Sequence, residues 1–364
     1  MPIDNTWAEK FGIMKYEKYG FDVQIWSAEE LFYSDEKIAD SAGGSDNYKF
    51  ESVNIRKVRT FDDLEKKVCE LDSATLLWIV DRGPIDALNF DNRDLDIFNK
   101  YNVKYVCQHL IPYLTPPRSW LKIKYYAREL KRRIYNYKKK PCLMLGTGSE
   151  GRKQVIRTFN NNFIYKSVPS LNILWLHEEL EVNKKYIVYV DEAMNHSPDA
   201  ALFGQENPCH DVEGFYYRIN KVFEQIESWT GFQVVIAASG KYHYTTNPFK
   251  NRKIIYRKTA NLIQHSEMVL GHKSLGLEQA IVENKPLLLF YDLALSELKN
   301  KHIHDLAVFY GVSPIWTNQL SKIIFEYTKR PNILRNKEIL KNYLKEDGVS
   351  GTFVENVASA FNQI

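Results

Sequence analysis

The chain carries four cysteines in 364 residues, at Cys69, Cys107, Cys142 and Cys209. None stands in a Cys-x-x-Cys pair or beside a histidine at metal-ligand spacing, so neither a zinc site nor a disulfide framework is indicated and a reducing compartment fits. No apolar run is long enough to cross a bilayer, and the opening MPIDNTWAEKFGIMKYEKYG has no basic stretch leading into an apolar one. These absences predict a cytoplasmic protein. The first half has no Gly-x-Gly-x-x-Gly, which argues against a dinucleotide cofactor, and GTGSEGR at 146–152 lacks the Gly-Lys-Ser/Thr ending of a Walker loop. Asp81-Arg82-Gly83 is no Asp-x-Asp, and His196 and His272 are not spaced as a chelate, so no metal is expected. A formal net charge of +4 is too mild to indicate nucleic acid.

What is present is an ordinary globular balance, 44% hydrophobic and 26% charged, on a chain long enough for two domains. Aromatic residues reach 13%, with 23 tyrosines, enough to stack on sugars or bases as well as to fill cores. Short apolar runs alternate with helical periodicity: strands at Phe21 onward, Val53–Val58, Thr75–Asp81 and Val103–His109, with helices at Phe61–Leu71 and Asp91–Lys100. Thr75–Asp81 is continuously apolar before its final acid, as a central parallel strand covered on both faces would be. The pattern predicts an α/β chain with mostly parallel sheets, whose ligands sit at the C-terminal ends of strands.

Residues 116–140, PPRSWLKIKYYARELKRRIYNYKKK, form a basic helix interleaved with aromatics. It reads either as a peripheral contact with an anionic membrane surface or as a solvated helix packing Leu121, Tyr125, Leu130 and Ile134 on a sheet; a polynucleotide-binding helix is a third and weaker reading, since no nucleic-acid motif accompanies it. Residues 142–156 return to strand, glycine turn and helix, with Glu150 either a carboxylate at a cleft or an early-helix acid favoured by the dipole. The run from Tyr186 ends on Asp191 and Glu192, two carboxylates at a strand terminus where ligand chemistry is expected. Like-charge neighbours there raise one pKa, although adjacent strand residues point to opposite faces.

The most informative stretch is 266–292, SEMVLGHKSLGLEQAIVENKPLLLFYD, which reads strand, small turn, helix from Leu275 to Glu283, and strand. A helix starting directly behind a strand aims its first N–H groups at the strand ends, a favourable place for phosphate. Ser274 is either only the N-cap or also a ligand hydroxyl, and Glu278 lies one turn on, within reach of a ribose.

GHKSLGLEQA followed by NKPLLLF resembles the donor-nucleotide region of two-Rossmann-domain (GT-B) glycosyltransferases. From Tyr186 to Tyr291 the chain resembles a group of bacterial surface-polysaccharide (capsule or O-antigen) glycosyltransferases, through VDEAMNHSPD, YYRINKVFEQIESWTG, FQVVIAASGKYHY, NPFKNRK and RKTANLIQHSEMVLGHKS. It departs from them at Ser239-Gly240, where that group has His-Pro; Lys241 or His243 then stands in for the histidine.

The resemblance implies a GT-B-like α/β fold of two Rossmann-like domains facing across a cleft, 1–183 on the acceptor side and 184–364 binding the donor, with a last helix that crosses back. It implies donor contacts from Ser239, Gly240, Lys241, Lys258, Thr259, His272, Lys273, Ser274 and Leu275, and a ribose contact from Glu278. Asp191 is the leading catalytic carboxylate, with Glu192 and Glu150 next. The implied partners are a nucleotide-sugar donor and a saccharide or lipid-linked saccharide acceptor, with no nucleic acid and no cofactor or metal. Donors in this group include CMP-activated ulosonic acids, and Lys241, Arg252, Lys258 and Lys273 suit either their carboxylate or a diphosphate. A nucleotide-sugar epimerase of the same fold and a non-catalytic nucleotide-sugar-binding protein are the alternative functions.

Overall fold

The computed structural model describes residues 11–31, 34–36, 55–79, 93–109, 141–159, 163–171, 173, 185–194, 206–238 and 242–364. The basic segment 116–140, Asp81–Gly83, His196 and the Ser239, Gly240 and Lys241 turn lie outside them.

In the first lobe, β1 (Ile25–Ser27) pairs in parallel with β2 (Ile55–Lys57), and a separate parallel sheet runs β3 (Leu76–Ile79), β4 (Lys104–His109), β5 (Leu143–Gly146), β6 (Ile164–Ser167). The helices between them are α1 (Phe61–Cys69), α2 (Arg93–Lys100) and α3 (Gly148–Phe159). Thr60 caps α1 by accepting from the Asp63 amide, and Leu64 and Val68 form its buried stripe. The strand expected from Phe21 begins at Ile25, and Ile13–Tyr19 winds into a 3₁₀ helix between Gly12 and Gly20, both left-handed, where the sequence indicates only a turn at YEKYG.

The second lobe holds six parallel strands: β7 (Tyr186–Val190), β8 (Gln233–Ala238), β9 (Ile254–Tyr256), β10 (Met268–Gly271), β11 (Leu287–Tyr291) and β12 (Ile315–Trp316). They lie in the order β12-β11-β10-β7-β8-β9. Renumbered from β7, that is 6-5-4-1-2-3, the doubly wound Rossmann order, whose ligand crevice opens where the winding reverses, between β7 and β10. All five residues of β7 are buried, as are all four of β10, which is why these runs read as uninterrupted apolar sequence.

Helix α4 (Val212–Thr230) covers one face of this sheet. Asp211 caps it by accepting from the Gly214 amide at 2.9 Å, Gly231 ends it at φ 72°, and Phe215, Ile219, Val222, Phe223 and Ile226 make its buried stripe. Next come α5 (Thr259–His265), α6 (Glu278–Val282), α7 (Glu297–Tyr310), α8 (Lys322–Thr328), α9 (Ile333–Ile339) and α10 (Phe353–Phe361). The single helix expected over Leu275–Glu283 is a 3₁₀ turn, Leu275–Leu277, followed by the short α6. Ser274 caps the tight turn by accepting from the Gly276 amide, two residues on rather than three, which winds the start tighter than an α-helix.

Three contacts among the described residues tie the lobes together. Phe353, Val354, Val357 and Ala358 of α10 pack among Phe11, Val106, Leu143 and Leu145 of the first lobe, with the Trp78 ring stacked on Phe353. Gly148, at φ +62°, sits so close to the 340–344 turn that a Cβ would lie 2.3 Å from the Asn342 carbonyl oxygen. Gly148 is thus explained by backbone approach between lobes, and Gly146 by the Tyr165 ring, whose hydroxyl a Cβ would meet at 2.7 Å. The third contact is the buried hydrogen bond that the Ser170 hydroxyl donates to Glu278 Oε2 at 2.8 Å.

Candidate active site

The carboxyl ends of β7 and β10 bring together residues that are 81 positions apart in sequence. Beyond Val190 the chain turns at Asp191, Glu192 and Ala193; beyond Leu270 it turns at Gly271, His272, Lys273 and Ser274. Ala193 holds the left-handed conformation, φ 52°, uncommon for a residue with a Cβ and characteristic of functional turns.

Asp191 and Glu192 part company, as alternation along a strand requires. Asp191 turns toward β8 and the segment behind it. It is buried, its Oδ2 accepts from the Tyr244 hydroxyl at 2.8 Å, and its Oδ1 accepts from the Ala193 amide at 3.1 Å. Tyr216 lies 2.9 Å from Tyr244, oxygen to oxygen. Because the Tyr244 proton is committed to the carboxylate, the Tyr216 hydroxyl donates to Tyr244, and the two O–H dipoles line up toward Asp191. Burial pushes Asp191 up to about 7, and Glu192 adds to the rise; the bonds from Tyr244 and the Ala193 amide oppose it. Burial, then the Asp191 charge, raise Tyr244 far above the usual phenol value, so it remains a donor.

Glu192 turns the other way. Its Oε2 accepts from Lys299 Nζ at 2.6 Å, and its Oε1 accepts from the backbone amide of Lys273. Lys299 arrives from the first turn of α7, whose N-cap Ser296 accepts from the Lys299 amide. Lys299 is not among the residues that the sequence singled out. The available signal was the Ser296 cap, which fixes where α7 starts and so places Lys299 in its first turn, near the strand ends.

His272 is fully buried among Tyr189, Phe215 and Phe290. Its Nδ1 lies 2.7 Å from the Phe290 carbonyl oxygen, which only accepts, so Nδ1 carries the proton. Nε2 is then a buried lone pair with no protein partner. Burial lowers this histidine to about 4, so at neutral pH it is an uncharged acceptor.

The remaining expected residues fall into three groups. Ser274, Leu275, Lys258 and Thr259 are brought together: a Cβ on Gly276 would lie 3.0 Å from the Thr259 methyl, which places the start of α5 against the 274–276 turn. Lys258 stands at the N-cap of α5 without a side-chain cap bond, behind Arg257 at φ 62°. Glu278 is buried and faces Ser170 of the other lobe. Glu150 stands elsewhere, paired with Lys153 on the surface of α3 and beside Tyr343.

Arg252 requires a correction. Its guanidinium is consumed by the fold: Nε and Nη2 donate to the two Glu227 oxygens at 3.0 and 2.6 Å, and Nη1 donates to Asn220 Oδ1 and the Phe249 carbonyl. With those donors bound to α4 and its flanking loop, Arg252 is a structural clamp and not a donor-site cation. Asp292 at the end of β11 was also missed. It is wholly buried and takes Arg218 in a fork, Nε at 3.1 and 3.0 Å and Nη2 at 2.7 Å, with further bonds from the Thr317 hydroxyl and the Ala294 amide. Among the described residues no group of three or more His, Cys, Asp or Glu side chains is arranged to hold a metal ion.

No protein-family model matches the chain, and no curated protein matches it. Solved structures do. Arabidopsis thaliana UGT89C1 in complex with UDP superposes over 98% of this chain and 96% of its own, at TM-score 0.50 and 9% identity. The UDP-GlcNAc 2-epimerase of Methanocaldococcus jannaschii matches over 99% and 97%, at TM-score 0.49 and 10% identity. Acinetobacter baumannii MurG matches over 99% and 96%, at TM-score 0.46 and 6% identity. The strand order and the near-complete superposition on the first of these give the chain a two-domain, Rossmann-like GT-B fold. Among the described residues no helix is long and apolar enough to cross a membrane.

Proposed function

We propose that the protein is a glycosyltransferase that moves a sugar from a nucleotide-activated donor to the hydroxyl of a saccharide acceptor, in bacterial surface-polysaccharide synthesis. The observation that carries this reading is the meeting of Asp191, Glu192, His272 and Lys273 at the β7/β10 switch point of a doubly wound sheet. The UDP named with the similar plant structure is consistent with a nucleotide in this lobe. The donor's phosphates lie over the 271–276 turn and the start of α5, and the ribose reaches Glu278 when that carboxylate exchanges its bond to Ser170. A CMP-activated ulosonic acid and a nucleoside-diphosphate hexose both fit the cations Lys258, Lys273 and Lys299.

In the transfer, the acceptor oxygen ends bonded to the anomeric carbon. The bond from that carbon to the donor phosphate oxygen breaks, its electron pair leaves with the nucleotide, and the acceptor proton passes to a carboxylate, Asp191 in our assignment. A pKa near 7 suits that group to hold and release a proton at neutral pH. Cations and oriented amides at the turn stabilise the departing phosphate.

A nucleotide-sugar 2-epimerase is the second reading, favoured by the buried His272 standing with two carboxylates at one switch point. Incubation with CMP-, UDP-, GDP- and dTDP-sugars separates the two. A transferase releases nucleotide and forms a glycoside only when saccharide is added. An epimerised nucleotide sugar formed without acceptor overturns the transferase assignment.

A further inference from the structure

Glu192 occupies a position built for an anion. Its two oxygens take a backbone amide, that of Lys273, and an ammonium, that of Lys299, from two segments that follow β10 and β11. Both side chains of the pair are largely removed from solvent, 14% exposed for Lys299 and 15% for Glu192. Burial holds His302 below the ordinary histidine value, and the charges of Lys273, Lys299 and Lys301 hold it lower still, against Asp305. A second and independent sign of an incomplete site is His272, fully buried one residue before the Lys273 amide. Its Nε2 has no partner, and among the charges acting on it are Glu192 and Lys299.

We infer that this is the phosphate subsite of the nucleotide donor, with Lys299 as its principal cation, and that Glu192 is the internal counter-ion which fills it at rest and is displaced when the phosphate arrives. The inference rests on the donor-binding reading and adds to it a residue and a competition. A phosphate offers the same amide and ammonium more acceptor oxygens and more charge than a carboxylate does, and the Lys273 amide and Lys299 are already aligned, so little ordering is left to be done on binding. The cost is the release of Glu192 from two strong bonds. It lowers affinity in the wild type and keeps the paired lysine from standing uncompensated in a largely buried place when no ligand is bound.

Competition of this kind has a signature opposite to that of an ordinary binding residue: removing the carboxylate's charge tightens ligand binding. The test is isothermal titration of the full chain with inorganic pyrophosphate and, separately, with UDP and CMP, for wild type, Glu192→Gln, Lys299→Met and Lys299→Arg, each checked by its melting curve. Glu192→Gln is expected to bind pyrophosphate about tenfold more tightly, and Lys299→Met about tenfold more weakly than wild type, with Lys299→Arg restoring most of the loss. Where Glu192→Gln does not hold its fold, the Lys299 pair of variants decides. Unchanged or weaker pyrophosphate binding in folded Glu192→Gln, or unchanged binding in Lys299→Met, overturns the inference. If wild type binds UDP or CMP and Glu192→Gln binds it no better, the displacement fails and the donor reading stands. If Glu192→Gln gains pyrophosphate affinity but neither nucleotide binds any form, the anion site stands and the donor reading fails.

Discussion

Replacing Asp191 by asparagine is expected to lower turnover by about two powers of ten or more while leaving nucleotide affinity within about twofold of wild type. The substitution keeps the volume: its amide oxygen still accepts from the Ala193 amide, and its NH2 donates to the Tyr244 oxygen once the Tyr244 proton turns to Tyr216, so the switch point retains its shape. What it removes is the ability to carry a proton or a bond to carbon. The pH dependence supplies a second readout. With Asp191 at about 7, wild-type turnover rises with pH through that value and levels above it if the carboxylate is the base or nucleophile, and the variant loses that limb. Stability moves in the opposite sense. The folded carboxyl binds its proton more tightly than the unfolded one, whose pKa is about 4, so wild-type stability falls between about pH 4 and pH 7 and is flat above. Asp191→Asn therefore becomes more stable relative to wild type across that window. Near-normal turnover in Asp191→Asn together with a collapse in Glu150→Gln would move the chemistry to the first lobe.

The second large effect concerns the fold behind the site. Arg218→Met leaves the Asp292 carboxylate wholly buried with only the Thr317 hydroxyl and the Ala294 amide to hold it. Breaking a buried pair from one side costs about 3–5 kcal/mol, because the surviving charge has neither water nor partner. Urea unfolding followed by the tryptophan signal should show that loss, and Arg218→Met combined with Asp292→Asn should recover part of it. A loss below about 1 kcal/mol would mean that the pair is no more than a surface contact. The position matters for function. Asp292 closes β11 two residues beyond Phe290, whose carbonyl orients His272, so the clamp from α4 steadies the strand end that sets the histidine's tautomer.

How much of this was legible beforehand divides along a physical line. β7, β10 and β11 are covered on both faces, and such strands write themselves as unbroken apolar runs; α4 entered only through YYRINKVFEQIESWTG in the resemblance, although Asp211, its stripe and Gly231 delimit it. The carboxylates and the turn after β10 were found for the same reason, since they follow directly on those runs. The partners were not. Tyr244 reaches Asp191 across 53 residues and Lys299 reaches Glu192 across 107; the Ser296 cap places Lys299 near the strand ends but does not name its partner, and nothing in local spacing distinguishes Tyr244 from a rim tyrosine. Arg252 shows the converse error: a cation in a resembling segment looks like a ligand until Glu227 and Asn220 are seen to bind it. GTGSEGR at 146–152 fails as a Walker loop, and the reason for its Gly148 is the carbonyl of Asn342, almost two hundred residues away.

The proposed function requires a nucleotide over the carboxyl ends of β7 and β10. Backbone hydrogen exchange of the wild-type chain, with and without saturating CMP, UDP, GDP or dTDP, reads both the binding and its place. At least one nucleotide is expected to slow exchange in peptides covering 258–262 and 271–279, with the first-lobe sheet unchanged. Protection confined to the first lobe, or none with any of the four nucleotides, would contradict it.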